Sequence, residues 1–225
     1  MIMIKKICLL SLLAIVFVGC GGGGSNTSSS GASVTSNPST SNPSPSVANI
    51  PFEAPVLSAS EKQDYLDAIN NARLTQQDCG VEGIKPAVPT LTWNDKLYSI
   101  AAEHSIDLAA WNNGVVTQAE AIDRFSHAGS GTESDWTAQV QELGRGSTIG
   151  ERVDNIGYAW RSYGENIAAG TNTSTAVQAV QQWLDSPPHC ANLMSSDYTE
   201  VGMAMVEDAN SFYTHYWTQN FGKPQ

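Results

Sequence analysis

The stretch Trp183-Leu184-Asp185-Ser186-Pro187-Pro188-His189-Cys190-Ala191-Asn192-Leu193 brings a carboxylate, an imidazole, a thiol and an amide within a few residues of two prolines. Upstream, Ser174 opens a helix whose Val177, Val180 and Leu184 share one face. Pro187-Pro188 ends it, because proline lacks the amide donor and clashes with the preceding turn. Downstream, Val201, Met203 and Met205 alternate with Gly202, Ala204 and Val206, the period of a strand. Residues 212–221 read as a second strand, aromatic on both faces.

Further out, residues 166–170 read as a short strand and residues 151–160 as a short helix. Residues 114–150 are richer in Gly, Ser and Thr and less periodic. Before them, Thr92 and Asp95 give a start signal, and Leu97, Ala101, His104, Leu108 and Trp111 follow as one stripe of a long helix. His104 in that stripe reads as a core histidine with a hydrogen-bonded partner. Ser58 and Glu61 form a capping box. Tyr65, Leu66, Ile69 and Ala72 continue it as a first helix reaching about Thr75. Three strands and four helices predict an α+β layer arrangement.

The beginning of the chain reads as an export signal. Lys5 and Lys6 precede an apolar run too short to span about 30 Å of hydrocarbon as a helix. The run ends in Phe17-Val18-Gly19-Cys20, which resembles a bacterial lipobox with Cys20 as the lipidated residue. An ordinary signal peptide cut nearby is the alternative. Residues 21–52 carry no charge and consist of Gly, Ser, Thr, Asn, Pro and a few apolar side chains, a composition that cannot bury enough surface to offset its ordering entropy. The expected division is a signal peptide at 1–19, a lipid-anchored linker at 20–56 and one folded domain at 57–225. Gly21 after Cys20, rather than Asp, favours the outer membrane in a cell with two membranes.

Four cysteines are present. With Cys8 in the signal and Cys20 at its exit, Cys79 and Cys190 remain as an even pair in an exported domain, and a disulfide is the expected state. It would close a long loop and contribute about 4 kcal/mol in the chain-entropy model. Metal binding or a redox pair are the alternatives, although neither cysteine lies in a C-x-x-C. The net charge of −11 argues against nucleic acid and anionic lipid surfaces as partners.

Side chains able to do chemistry cluster at Phe125-Ser126-His127, at Tyr163-Gly164-Glu165-Asn166-Ile167 and at 183–193. Two histidines and a carboxylate, if brought together, could hold a divalent metal or do acid–base work. Neither H-E-x-x-H, G-x-S-x-G, a P-loop nor a dinucleotide fingerprint occurs.

These segments resemble the CAP superfamily, which takes in cysteine-rich secretory proteins, antigen 5 and plant pathogenesis-related 1 proteins, and most closely its bacterial secreted, SCP-like branch. The resemblance runs from about Ser60 to Gly222. It is carried by Asn70 to Arg73 with Leu91-Thr92-Trp93-Asn94, by the helix Ala101 to Ala109, by Phe125-Ser126-His127, by Gly164-Glu165-Asn166-Ile167, and by Trp183 to Leu193 followed by Thr199-Glu200-Val201-Gly202. It implies an α-β-α sandwich with a small antiparallel sheet between helices. It also implies a cavity of two histidines and two glutamates. His127, Glu165 and His189 match three of the four, while the fourth position is Ser186, with Asp185 adjacent at a different helical angle.

On that resemblance His127, Glu165 and His189 are the expected cavity residues and the expected ligands for zinc or another divalent cation. The expected function is an extracytoplasmic binding module for a protein, lipid or small molecule, held at the membrane through Cys20. The alternative is a metal- or Glu165-dependent peptidase or esterase; no other catalytic residue is assigned. Asn166 and Asn192 are expected to hold loops, Glu200 to orient a cavity histidine or pair with an Arg such as Arg152, and His215 to lie outside the site. Trp217 and Phe221 are expected to pack in the sheet. Residues 132–150 exceed what the bacterial branch is expected to carry and have no assigned role.

Overall fold

A computed structural model describes the protein over residues 52–225. The expected signal peptide, the expected lipidation at Cys20 and most of the expected linker lie outside these residues.

Helix α1 (Ala59–Arg73) starts on the expected capping box, with both reciprocal bonds between Ser58 and Glu61 made. It ends slightly earlier than the sequence suggests. Two short strands, β1 (Gln77–Asp78) and β2 (Ile84–Lys85), pair into a hairpin, and the main sheet opens with β3 (Thr92–Trp93). Asn70 ties α1 to that approach, accepting from Leu91 N at 2.8 Å and donating to Leu91 O at 3.1 Å. Helix α2 (Asp95–Trp111) is capped by Asn94, whose side chain accepts from the Lys96 and Leu97 amides.

Residues 114–150, which show no clear period, hold two short helices, α3 (Gln118–Asp123) and α4 (Trp136–Val140), capped by Thr117 and Asp135. Helix α5 (Ile149–Asn155) follows on a second capping box, Thr148 with Glu151. Strand β4 (Trp160–Gly170) begins well before the expected start at Asn166. Helix α6 (Ala176–Leu184) stops before the prolines, which then occupy the first turn of a further helix, α7 (Pro187–Leu193). There the missing amide would have had no partner anyway. Strands β5 (Glu200–Glu207) and β6 (His215–Pro224) complete the chain. Residues 212–214, expected in β6, form a turn in which Thr214 takes a positive φ.

The main sheet has the order β3-β5-β6-β4. It is antiparallel except for the two-residue parallel contact of β3 with β5. Alternation along the strands assigns each face. Val201, Met203, Trp217 and Phe221 join Ile69, Ala176, Val180, Trp183 and Leu193 in one core beneath α1 and α6, so Trp217 and Phe221 pack as expected. Ala204 and Tyr216 face the other way, onto Tyr98, Ala101, Leu108 and Ala109 of α2. The result is helices, sheet, helix: the expected α-β-α sandwich.

Gly202 lets α2 sit down on the sheet, because a Cβ there would overlap the Tyr98 backbone nitrogen. The packed chain also reaches further back than residue 57. Phe52 and Ala54 lie against the Tyr98–Ala102 cluster, and Tyr98 donates its hydroxyl to Pro55 O at 2.6 Å. The last residues of the expected linker therefore belong to the folded domain.

The disulfide Cys79–Cys190 is formed, with the Cα atoms 5.4 Å apart. It pins the Gly80–Glu82 turn to α7, with Val88 and Met194 packed around it.

Candidate functional site

Strand β4 is an edge of the sheet, and its outward carbonyls are met by side chains rather than by another strand. Ile167 O accepts from the Trp183 indole at 2.9 Å, Glu165 O from the Asn192 amide at 3.1 Å and Tyr163 O from the Tyr198 hydroxyl at 3.5 Å. Asn166, on the α7 side, donates to His189 O at 3.2 Å and accepts from Asn192 at 3.0 Å. The two asparagines thus make the expected side-chain-to-backbone bonds, but these fasten helix α7 to strand β4 rather than holding loops. Gly164 has no side chain because Tyr198 Oη and Asn192 Oδ1 occupy the place where its Cβ would lie. The Gly-Glu-Asn motif is therefore first a device for seating α7 and the Tyr198 loop on the edge of β4.

Glu165 points to the opposite side, toward α2. Its side chain is fully withdrawn from solvent. Oε1 accepts from His127 Nδ1 at 2.9 Å and from Arg152 Nη2 at 3.2 Å; Oε2 accepts from the same Arg152 nitrogen at 3.0 Å. With its amide turned to suit the neighbouring donors and acceptors, Asn220 donates to Oε2 at 3.0 Å as well. Burial opposes charge on this carboxyl, but Arg152 foremost, with the adjacent imidazoles, outweighs burial and draws it down to about 2. An ionised carboxylate only accepts hydrogen bonds, so His127 Nδ1 carries the proton and its Nε2 is left as the outward nitrogen.

His127 is the exposed member, with 43 % of its side chain accessible. His189 comes from α7, on the other face of the sheet. The two rings meet with centroids 6.3 Å apart, tilted by 53°. Burial, with His127 as a smaller contribution, pushes the His189 imidazole down to about 4. It is neutral at neutral pH. His104, fully buried in α2, donates from Nε2 to Ser126 O at 3.0 Å and lies 3.8 Å from Glu165 Oε1. Burial pushes it to about 3. It is the core histidine expected, and it backs the site without facing solvent.

The three expected cavity residues therefore meet through His127, but their parts differ from expectation. Glu165 offers no free lone pair toward the opening, so neither a ligand role nor a general-base role in contact with substrate suits it. Among the described residues, no three His, Cys, Asp or Glu side chains are grouped to hold one metal ion. Ser186, at the fourth position, has a buried hydroxyl without a partner. Two imidazoles are a sparse donor set for a divalent ion, and the residues present do not fit a resident zinc.

Arg152 is the group that the sequence did not place here. It is 1 % exposed and also donates to His127 O at 3.0 Å and to Ser147 O and Oγ at 3.2 and 3.1 Å. Its expected partner Glu200 lies elsewhere, accepting from Tyr158 Oη at 2.7 Å and Asn94 Nδ2 at 3.1 Å. The one signal for Arg152 is its position after a Thr148–Glu151 capping box, which fixes a helix but not the direction in which the side chain points. His215 lies outside the site, against Gly170 O at 3.1 Å. A separate open pocket of about 440 Å³ between α1 and α6, lined by Asp64, Asp67, Tyr65 and Trp217 among others, shares no residue with the histidine site.

Comparison with known proteins agrees with this architecture. The sequence model of CAP, the cysteine-rich secretory protein family, matches residues 66–221. The uncharacterized protein YkwD of Bacillus subtilis (strain 168) is 31 % identical over 71 residues, 32 % of this chain and 25 % of that protein. The uncharacterized membrane protein YlbC of the same organism is 27 % identical over 124 residues, 55 % of this chain and 31 % of that protein. The chain thus matches about a third or less of the length of these relatives. In structure, an outer surface protein from Borrelia burgdorferi superposes with a TM-score of 0.50 at 17 % identity, covering 76 % of this chain and 97 % of that one. With the family's sequence pattern spanning most of the domain, and its sandwich built as that pattern implies, the chain belongs to the cysteine-rich secretory protein family.

Proposed function

We propose that this chain is an envelope-anchored binding module of the extracytoplasmic space, with His127 and His189 as the groups that meet its ligand. The observation that carries the reading is the convergence of the two rings, 6.3 Å apart, at the edge of β4. Membership of a secretory family and a buried disulfide, which persists in oxidising compartments, support the location. The basic, apolar, Cys20-terminated beginning of the sequence supports an anchor, with the charge-free segment after Cys20 as a spacer. Among the described residues no helix is long and apolar enough to cross a membrane.

Sedimentation of the full-length Cys20→Ser protein, which lacks the anchor, with isolated peptidoglycan and with phospholipid vesicles tests the binding site. The reading expects retention that a His127→Ala/His189→Ala variant loses; equal retention of both proteins rejects the histidine pair. Cys20→Ser is expected to move the protein from the membrane fraction to the soluble one.

A second reading, a hydrolase, is favoured by one feature. Glu165 holds His127 in a single tautomer with Nε2 outward, the orientation a general base needs. In that reading Glu165 acts through His127 and not on substrate. Turnover of peptide or ester substrates that disappears in His127→Ala supports it.

A further inference from the structure

We infer that Arg152 is a built-in cation that closes the histidine site to divalent metal ions, and that the segment before it exists to hold it there. The inference rests on the reading of His127 and His189 as the site, and asks what that site excludes.

The first observation is the charge balance. Glu165 is the sole carboxylate hydrogen-bonded to either imidazole among the described residues, and Arg152 Nη2 contacts both of its oxygens, at 3.0 and 3.2 Å. A carboxylate behind a ligating histidine strengthens that histidine as a donor. Here the guanidinium takes up the carboxylate's charge and touches the His127 carbonyl besides. An ion on His127 would meet an imidazole backed by a neutralised pair. The position that could have supplied a second carboxylate is Ser186.

The second observation is how Arg152 is held. Two carboxylates of α2 reach out to the segment in front of it. Asp107 accepts from Ser130 N at 2.7 Å and from Ser134 Oγ at 2.6 Å; Glu103 accepts from Thr137 N at 2.7 Å. Asp135 then ties the segment's two ends together, accepting from Gly131 N at 3.1 Å and Ser147 N at 2.8 Å. Ser147 presents its carbonyl and hydroxyl to Arg152 Nη1. The residues that lacked an assigned role, 132–150, form a bracket from α2 to the guanidinium. Three carboxylates, all buried, are committed to holding it.

The test uses zinc ion as the probe, on the full-length protein, by calorimetry and thermal melting. Wild type is expected to show no saturable heat that depends on His127 and His189, and a melting temperature indifferent to zinc or chelator. Arg152→Met frees the Glu165 charge and is expected to gain zinc affinity of about tenfold or more, lost again on adding His127→Ala. Arg152→Gln removes the same cation while keeping amide donors for the Ser147 and His127 oxygens, and is expected to gain zinc affinity too; it decides the matter if Arg152→Met fails to fold. One equivalent of zinc on wild type, abolished by His127→Ala/His189→Ala, overturns the inference. So does a folded Arg152→Gln or Arg152→Met protein that ignores zinc. None of these outcomes depends on retention by peptidoglycan or vesicles, so the inference and the binding reading fail separately.

Discussion

Arg152 Nη2 lies 3.0 Å from Glu165 Oε2 with both side chains sealed from water. Removing one partner of such a pair leaves a buried charge uncompensated, which typically costs about 3–5 kcal/mol. Arg152→Met is therefore expected to lower the urea midpoint sharply. Arg152→Met/Glu165→Gln removes both charges and is expected to recover part of the loss. A double variant no more stable than the single one contradicts the pairing.

The histidines set the sign of the acid response. Folded His189 and His104 are depressed to about 4 and about 3, against 6.5 for an ordinary imidazole. The unfolded chain therefore binds more protons as pH falls, and stability falls with it. The contribution is fully present above about 6.5 and is lost progressively toward about 3. Glu165 adds a loss of the same sign lower down, between 4.5 and about 2. Glu103 and Asp107, raised by burial, act in the opposite sense, since acid relieves the cost of their ionisation. Urea midpoints are expected to decline between about pH 7 and pH 5, and less steeply in His104→Gln. Equal slopes contradict the buried neutral imidazole.

The Cys79–Cys190 bond closes a loop with a sequence separation of 111. Cys79→Ser/Cys190→Ala is expected to lose about 4–5 kcal/mol in chemical denaturation. His189 is the residue before Cys190, so its ring resonances should shift as well. Unchanged ring signals would separate the disulfide from the site.

At Gly164 the Tyr198 hydroxyl is the nearest obstacle, with Asn192 Oδ1 next. Gly164→Ala forces Tyr198 away from the edge of β4, at about 1–3 kcal/mol. Tyr198→Phe removes the obstructing oxygen, so Gly164→Ala is expected to cost less in that background. Additive costs in thermal melts would argue that the motif's glycine serves some other contact.

What the sequence made legible follows from how each signal works. The Ser58–Glu61 box and the stripe from Leu97 to Trp111 are local patterns, and α1 and α2 appear where those patterns lie. The alternation from Val201 likewise becomes β5. Strand β4 was half hidden because residues 160–165 are largely polar, and Glu165 is buried through partners, not hydrophobicity. The prolines at 187 and 188 read as a stop; they serve equally as a start, and the next helix begins on them. In the site, family resemblance located His127, Glu165 and His189. It could not show that a guanidinium from α5 would take the carboxylate, because pairing at a distance leaves no periodic trace along the chain.

One consequence follows from the way Trp183, Asn192 and Tyr198 sit on the outer carbonyls of β4. A bare sheet margin is a template on which another polypeptide can zip. Here the margin along β4 is upholstered by indole, amide and phenol groups, while on the other side the two-residue β3 covers only Glu200 and Val201 of β5. Along β4, crowded copies of this domain can jostle without fusing into ribbons, and anything that grips that margin must do so by its side chains.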